Sequence, residues 1–312
     1  MLALVNKTLV SLHSLPSGAS PLVDELLYGM CVEIISTTCS EEDDDFTRWC
    51  LIRTHYYYEG YCRWDTLVIL PSTLIPSASQ LPYLQDFTKK ASYADYFADM
   101  VNGGDLKVVM HPYADILSEP LIQSARLQTV TRGSRICVLE KVPQKEGWIR
   151  VALVDGRIGY IKESFLVEYY HTPCTQEEEA LRLRLVGTAK QYMGAQYRWG
   201  GKSPLGIDCS GLTSMSYMLC GIIIYRDAAI KKGFPVHTIP FSQKSPGDLL
   251  YFPGHIAMYI GYNCYIHSTA RHGSDGVVIN SLNPHHQLYR EDLAKNILCV
   301  GSIFPFFPYK GS

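Results

Sequence analysis

A cysteine at the start of a predicted helix carries the strongest chemical signal in this chain. Segment 206–213 (GIDCSGLT) places Asp208 at an N-cap position and Cys209 in the first helical turn. Backbone N–H groups and the positive end of the helix stabilise an anion there, and a neighbouring histidine lowers the thiol pKa further. The pattern predicts a nucleophilic thiolate. Because a single cysteine is more often a small buried apolar residue, the prediction requires a base nearby.

A histidine at the start of a predicted strand provides that base. Segment 253–261 (PGHIAMYIG) reads as a turn that delivers His255 to the first position of an alternating strand. The next predicted strand places His267 where its ring can hydrogen-bond the distal nitrogen of His255 and fix its tautomer. The alternative for His267 is a core histidine whose nitrogens are satisfied. Together these residues predict acyl transfer to a thiol, without a cofactor.

The elements that must position these residues form an α+β pattern. Apolar residues spaced three or four apart predict a helix from 181 to 192, and a second helix is predicted from about 209 to 220. Helices followed by antiparallel strands predict an α+β domain over residues 174–312. The predicted strands of this domain lie at about 248–252, 255–260 and 265–268.

Two copies of a small β unit precede that domain. Residues 49–68 and 148–167 share a leading Trp, a Gly-Tyr pair and a closing Leu-Val. Short alternating strands with tight turns are predicted in each copy. The repeat resembles the bacterial SH3-like barrel. The predicted boundaries are 1–70 and 105–170 for the two SH3-like units and 71–104 for an ordered, partly helical linker.

Composition narrows the possible partners. Lys and Arg number 28 against 30 Asp and Glu, so the chain lacks the basic field typical of nucleic-acid binding. No apolar run is long enough to cross a bilayer, and we expect no membrane partner. The ten cysteines are scattered, without the spacing of a disulfide framework or a zinc site, so we expect mostly reduced thiols and no metal.

The N-terminal segment predicts where the chain works. Residues 1–18 lack a basic leader, a continuous apolar core and a small-residue cleavage site. This favours a cytoplasmic location, with secretion as the alternative if a leader has been removed. We expect a monomer.

Five motifs occur in the order seen in NlpC-type cysteine peptidases and span about residues 190–270. They are Tyr-x-Trp-Gly-Gly (197–201), Asp-Cys-Ser-Gly-Leu (208–212), Pro-Gly-Asp-Leu (246–249), Gly-His-Ile-Ala-Met-Tyr-Ile-Gly (254–261) and Ile-His-Ser (266–268). The resemblance implies a papain-like cysteine peptidase domain preceded by two small SH3-like β-barrels. The whole chain resembles the γ-D-glutamyl-L-diamino acid endopeptidases of the dipeptidyl-peptidase VI type.

The resemblance also implies roles for individual residues. Cys209 attacks the carbonyl, His255 holds and then delivers the proton, and His267 orients His255. Tyr197 donates its hydroxyl to the oxyanion together with the backbone N–H of Cys209. From the residue types alone, the alternative for Tyr197 is an aromatic core residue.

A second set of residues is implied to bind substrate: Asp208, Ser210, Trp199, Asp227 and Tyr58. Relatives often have Arg-Asp-Ser where this chain reads Arg-Asp-Ala at 226–228, so a serine contact is missing here. Tyr58 is the candidate for a tyrosine that closes the pocket around a free α-amino group. Met30 stands where the accompanying acid is expected. The alternative for Trp199 is an aromatic core residue, and for Ser210 a helix-start hydroxyl.

The resemblance implies hydrolysis of the bond between γ-D-glutamate and the following diamino acid in murein peptides with a free N-terminal L-Ala. The SH3-like units are expected to wall off one end of the cleft and so select short substrates. One alternative is an amidase or acyltransferase on the same fold. Another is a wall-binding protein in which the SH3-like units bind and the third domain is inert.

Overall fold

The computed structural model describes residues 1–38, 48–70 and 104–305. The chain divides into two compact units, Met1–Tyr169 and Tyr170–Ser312. The predicted linker at 71–104 lies, except for its last residue, outside the described residues. Among the residues that are described, no helix is long and apolar enough to cross a membrane.

Unit 1 contains two antiparallel sheets of seven strands each. The first has the order β3-β2-β6-β5-β4-β1-β7 and consists of β1 (Leu2–Val5), β2 (Leu9–His13), β3 (Leu22–Leu27), β4 (Cys31–Thr37), β5 (Trp49–Thr54), β6 (Glu59–Arg63) and β7 (Leu67–Ile69). The second has the order β10-β9-β13-β12-β11-β8-β14 and consists of β8 (Asp105–Val109), β9 (Tyr113–Leu117), β10 (Arg126–Thr131), β11 (Arg135–Lys141), β12 (Trp148–Ala152), β13 (Ile158–Lys162) and β14 (Leu166–Glu168).

The two sheets have the same strand order, and this agrees with the repeat seen in the sequence. In each copy a 3-10 turn, at Trp64–Thr66 and at Glu163–Phe165, directly precedes the last strand. Alternating side chains of both sheets contribute to a shared apolar core. The hydroxyl of Tyr28 in the first copy accepts a hydrogen bond of 2.8 Å from the backbone N–H of Val154 in the second. The copies therefore pack together as one body.

Unit 2 has the predicted α+β organisation, with an antiparallel sheet of six strands in the order β17-β22-β18-β19-β20-β21. Its strands are β17 (His237–Ile239), β18 (Leu249–Phe252), β19 (His255–Gly261), β20 (Cys264–Thr269), β21 (Gly276–Ser281) and β22 (Cys299–Ser302). A short ribbon joins β15 (Lys202–Ser203) and β16 (Gly206–Ile207). The helices are α1 (Glu178–Lys190), α2 (Cys209–Met218) and α3 (Glu291–Ala294), and residue 209 begins α2 as predicted.

Helix α2 is buried along almost its whole length, so its two ends must be fixed by specific contacts. At its start the carboxylate of Asp208 accepts a hydrogen bond of 2.5 Å from the backbone N–H of Gly211. Past its end, Gly221 adopts a left-handed φ of +81°. A Cβ at that position would collide with the carbonyl oxygen of Thr172. Only glycine meets both requirements without strain.

We expect the substitution Gly221→Ala to destabilise the protein by about 2 kcal/mol or more, because it adds a collision to an unfavourable φ. Gly187→Ala is the matched control, since Gly187 lies in α1 and an added Cβ there would meet no atom within 4 Å outside the helix backbone. That change should be neutral or stabilise by up to about 1 kcal/mol. Urea unfolding of both variants measures the difference, and equal effects would contradict this account of the end of α2.

Candidate active site

The start of α2 meets the start of β19 at Cys209. The thiol is buried, with 7% of the residue exposed. The backbone N–H groups of Ile256 and Ser210 donate towards its sulfur. Because Ile256 directly follows His255, the sulfur lies against the strand residue adjacent to the predicted base. In the described part of the chain no hydrogen bond joins the Cys209 sulfur directly to the His255 ring.

Burial decides the charge of the thiol. It raises the pKa of Cys209 to about 11, and the nearby carboxylate of Asp208 acts in the same direction. The N–H groups of Ile256 and Ser210 favour the anion but have the smaller effect. The role of Cys209 as the nucleophile remains a prediction. The thiol is protonated in the free site, because loss of hydration outweighs the helix end.

The two predicted histidines are in contact. Nε2 of His255 lies 2.7 Å from Nδ1 of His267, with the ring planes at 81° to each other. Burial lowers the pKa of His255 to about 4, and the charge of Arg290 lowers it further. Burial lowers the pKa of His267 to about 3, with His255 as the next cause. Both rings are therefore neutral at neutral pH and able to accept a proton.

Tyr197 lies beside the strand that leads into α2. It forms a parallel bridge with Ile207, two residues before Cys209. Burial raises the pKa of Tyr197 to about 12, and the neighbouring Cys209 and Asp208 add to the effect. The hydroxyl therefore stays protonated and can donate a hydrogen bond. In the described residues no hydrogen bond occupies this hydroxyl.

A buried ion pair, which the sequence did not reveal, fixes the position of Asp208. Nη1 of Arg226 lies 3.1 Å from Oδ1 of Asp208, and Nη2 lies 3.1 Å from Oδ2. The same guanidinium donates to the Ser210 hydroxyl at 2.8 Å and to the Gly200 carbonyl at 3.0 Å. The N–H of Gly200 donates to Oδ2 of Asp208 at 2.8 Å. Arg226 thus joins the start of α2 to the glycines of the Tyr-x-Trp-Gly-Gly motif.

The remaining predicted residues of unit 2 differ in their surroundings. Ser210 is buried and belongs to the Arg226 cluster, because its hydroxyl also donates to Oδ1 of Asp208 at 3.2 Å. Trp199 is 67% exposed, so it is not an aromatic core residue. Burial raises the pKa of Tyr225, and the carboxylate of Asp227, which accepts a hydrogen bond from the Tyr225 hydroxyl, raises it further. The structure therefore places the Ser210 hydroxyl between Asp208 and Arg226, whereas Asp227 contacts Tyr225.

Tyr58 and Met30 are the two residues of unit 1 that the family resemblance singled out. Tyr58 lies just before β6, and its backbone N–H donates to the Thr54 hydroxyl at 2.9 Å. Met30 is buried, and its sulfur accepts from the backbone N–H of Leu27 at 3.4 Å. The contribution of Tyr58 to substrate binding remains a prediction, and Met30 supplies no carboxylate at the place where an acid is expected.

Comparisons with known proteins agree with this arrangement. The model of the NlpC/P60 family matches residues 194–294, a range that contains Tyr197, Cys209, His255 and His267. The dipeptidyl-peptidase 6 of Lysinibacillus sphaericus is 40% identical over 305 residues, which is 97% of this chain and 100% of that protein. The chain belongs to the NlpC/P60 family. This confirms the resemblance drawn from the five motifs.

Other NlpC/P60 relatives are more distant. A γ-D-glutamyl-L-lysine dipeptidyl-peptidase of Bacillus cereus is 28% identical over 58% of this chain and 54% of that protein. A solved NlpC/P60 family protein from Bacillus cereus covers 98% of this chain and is itself covered completely, with a TM-score of 0.71 and 19% identity. The fold similarity extends over the whole chain and confirms the predicted fold class.

The Arg226 ion pair yields a stability prediction. Replacing Arg226 with Met leaves the carboxylate of Asp208 buried without its cation, and we expect a loss of about 3–5 kcal/mol. Arg271→Met is the control, because Arg271 pairs with Asp292 at 3.4 Å while both side chains are more than half exposed. Its loss should be below about 1 kcal/mol.

Urea unfolding, followed by circular dichroism, measures both variants. A failure of the Arg226 variant to fold is the extreme form of the expected result. Equal and small losses in the two variants would show that the buried pair does not hold the start of α2.

Proposed function

We propose that this chain is a cysteine peptidase that hydrolyses the bond between γ-D-glutamate and a diamino acid in cell-wall peptides with a free N-terminal L-Ala. Membership of the NlpC/P60 family supports the peptidase class and peptidoglycan peptides as its substrates. The observation that carries the proposal is that the buried thiol of Cys209 lies beside Ile256, the residue after His255, whose ring contacts His267 at 2.7 Å. The similarity to a dipeptidyl-peptidase 6 and to a γ-D-glutamyl-L-lysine dipeptidyl-peptidase supports the γ-D-glutamyl bond as the one that is cleaved.

The first step is proton transfer from the Cys209 thiol to Nδ1 of His255, the ring nitrogen that does not contact His267. Burial opposes each charge separately, but transfer creates the two opposite charges side by side, and their attraction offsets part of that cost. The thiolate then attacks the carbonyl carbon at the γ-D-glutamyl bond. Catalytic hydrogen bonds in free enzymes are often long and shorten when substrate binds.

The tetrahedral intermediate needs donors for its oxyanion. We assign this role to the Tyr197 hydroxyl and the backbone N–H of Cys209. The raised pKa of Tyr197 keeps the hydroxyl protonated, and a donor already fixed in a site with little water stabilises the oxyanion strongly. Loss of one such donor costs enzymes about 100- to 1000-fold in turnover.

The intermediate then collapses and the C–N bond breaks. The proton on His255 passes to the leaving amine of the diamino acid, which departs neutral, and the dipeptide remains as a thioester on Cys209. Water then gives a proton to His255 and attacks the thioester, and the released thiolate recovers that proton. His267 holds the ring of His255 in one orientation throughout.

Substrate binding is proposed to use the side chains around the start of α2. Oδ1 of Asp208 accepts hydrogen bonds from Gly211, Ser210 and Arg226, so its carboxylate has a fixed position. Oδ2 is engaged as well, by Gly200 and Arg226, so Asp208 is proposed to line the pocket for the N-terminal part of the peptide as an ordered wall, with little side-chain freedom lost on binding. The exposed ring of Trp199 offers apolar area for the rest of the peptide. Asp227 and Tyr58 complete the proposed set.

The substrate prediction is tested by digesting L-Ala-γ-D-Glu-L-Lys and its diaminopimelate counterpart. We expect release of the dipeptide L-Ala-γ-D-Glu and the free diamino acid, identified by mass spectrometry. The control is the same peptide with an acetylated N-terminus. It should be cleaved roughly tenfold or more slowly, since a lost charged contact costs about 1.5–3 kcal/mol. Release of free L-Ala would contradict the proposed bond. Equal cleavage of the free and the acetylated peptide would contradict recognition of the amine.

The pH profile follows from the state of His255. The base works only when its ring is neutral, and its pKa is about 4. We therefore expect kcat/KM to remain high as the pH falls through 6 and to decline only near pH 4. A surface histidine would lose activity near its ordinary pKa of about 6.5. An acidic decline centred between pH 6 and 7, in a protein shown to be folded there, would contradict a buried base.

A further inference from the structure

A side chain beyond His267 extends the chain of contacts that begins at His255. Asn280 lies in β21, where it pairs with Tyr265 of β20. His267 follows Tyr265 by two residues, so Asn280 and His267 are diagonal neighbours on one face of the sheet. Oδ1 of Asn280 lies 2.8 Å from Nε2 of His267. Nδ2 of Asn280 donates to the backbone carbonyl of Leu288 at 3.0 Å.

We propose that Asn280 is a positioning residue that fixes the tautomers of His267 and, through it, of His255. The proposal rests on the proposed function, because it concerns the group assigned there as the base. Asn280 itself touches neither the thiol nor the reacting atoms.

The hydrogen bond between Asn280 and Leu288 decides which atom donates and which accepts in each of these contacts. The carbonyl oxygen of Leu288 can only accept a hydrogen bond, so Asn280 must present its NH₂ group there. Its Oδ1 is then the atom that faces His267, and this oxygen can only accept. Nε2 of His267 must therefore carry a hydrogen. In a neutral imidazole the other nitrogen, Nδ1, is then an acceptor.

The tautomer of His267 fixes the tautomer of His255 in turn. Nδ1 of His267 accepts, so Nε2 of His255 must donate across the 2.7 Å contact. Because His255 is neutral, its Nδ1 has a free lone pair, and this nitrogen is the proton acceptor of the proposed mechanism. When Nδ1 takes the proton from the thiol, every contact from His255 to Leu288 keeps its donor and its acceptor. Protonation then requires no reorientation of any side chain.

The charge environment supports an amide at position 280. The groups that act on both rings are Arg290, which favours the neutral state, and Asp292, which opposes it; Asp208 also acts on His255. An aspartate at 280 would add a negative charge beside His267 and favour protonated rings. It would also lack a hydrogen for the Leu288 carbonyl. Asparagine orders the tautomers without shifting the charge balance.

Nuclear magnetic resonance measures the tautomers directly and needs no activity. The Cys209→Ala protein is labelled with ¹⁵N-histidine, and the signals of His255 and His267 are assigned from their disappearance in His255→Gln and His267→Gln variants. At pH 7 we expect both rings as the Nε2–H tautomer. An Nδ1–H tautomer at His267 would overturn the proposal, even if the protein proves to be an active peptidase.

Kinetics separate positioning from a purely structural role. Asn280→Leu should lower kcat roughly tenfold with KM little changed, since one hydrogen bond that orders the tautomer is lost. Asn280→Asp should move the acidic decline of kcat/KM to higher pH. Asn296→Leu is the matched control, because that exposed amide donates to the Asp292 backbone carbonyl at 2.7 Å and touches neither ring.

The control should leave kcat and the pH profile unchanged. Unchanged kcat and an unchanged profile in folded Asn280→Leu and Asn280→Asp proteins would overturn the proposal. If the wild-type chain cleaves none of the peptides, the proposed function fails, and the tautomers measured by resonance still decide the role of Asn280.

Discussion

The buried carboxylate of Asp208 fixes where helix α2 begins, and the proposed chemistry depends on that point. One oxygen caps the helix at Gly211, and both oxygens bind the guanidinium of Arg226. Arg226 in turn binds the Gly200 carbonyl. Three separate segments are therefore tied to the residue that precedes the thiol. Loss of either partner would leave an uncompensated buried charge, which is strongly destabilising. The folded state is therefore most stable when Asp208 and Arg226 are in contact.

Burial has a second consequence, which concerns charge rather than position. It raises the pKa of Cys209 and lowers the pKa values of His255 and His267. The free site therefore contains a neutral thiol and two neutral rings. Neutral reacting groups are compatible with a buried location, because no isolated charge has to be desolvated. Charge separation is then confined to the reacting state, where Tyr197 and backbone N–H groups are available to stabilise it.

Local features of the site were predictable from the sequence, whereas tertiary contacts were not. The N-cap at Asp208, the start of α2 at Cys209 and the strand that begins at His255 follow from capping and alternation within a few residues. The pairing of Arg226 with Asp208 spans 18 residues without any periodic signal. Arg226 stood only in the Arg-Asp-Ala segment at 226–228, from which the resemblance selected Asp227. The neutral thiol was missed because burial is a property of the fold.

Strand register explains the other omission. Asn280 reaches His267 only because β20 and β21 pair with Tyr265 opposite Asn280, and a shift by one residue would turn the amide to the other face. Nothing in the segment around Asn280 indicates this register. The two SH3-like copies were easier to predict, since the repeat of Trp, Gly-Tyr and Leu-Val recurs in the sequence and the strand order recurs in the sheets. Their boundaries stay predictions.

The proposed chemistry requires that the sulfur of Cys209 form the covalent bond to substrate. Rapid acid quenching of the wild-type protein during turnover of L-Ala-γ-D-Glu-L-Lys, followed by peptide mapping in a mass spectrometer, detects this bond. We expect an L-Ala-γ-D-Glu thioester on the peptide that contains Cys209, and no turnover by a folded Cys209→Ala protein. A thioester on another cysteine, or cleavage by Cys209→Ala at the wild-type rate, would contradict it.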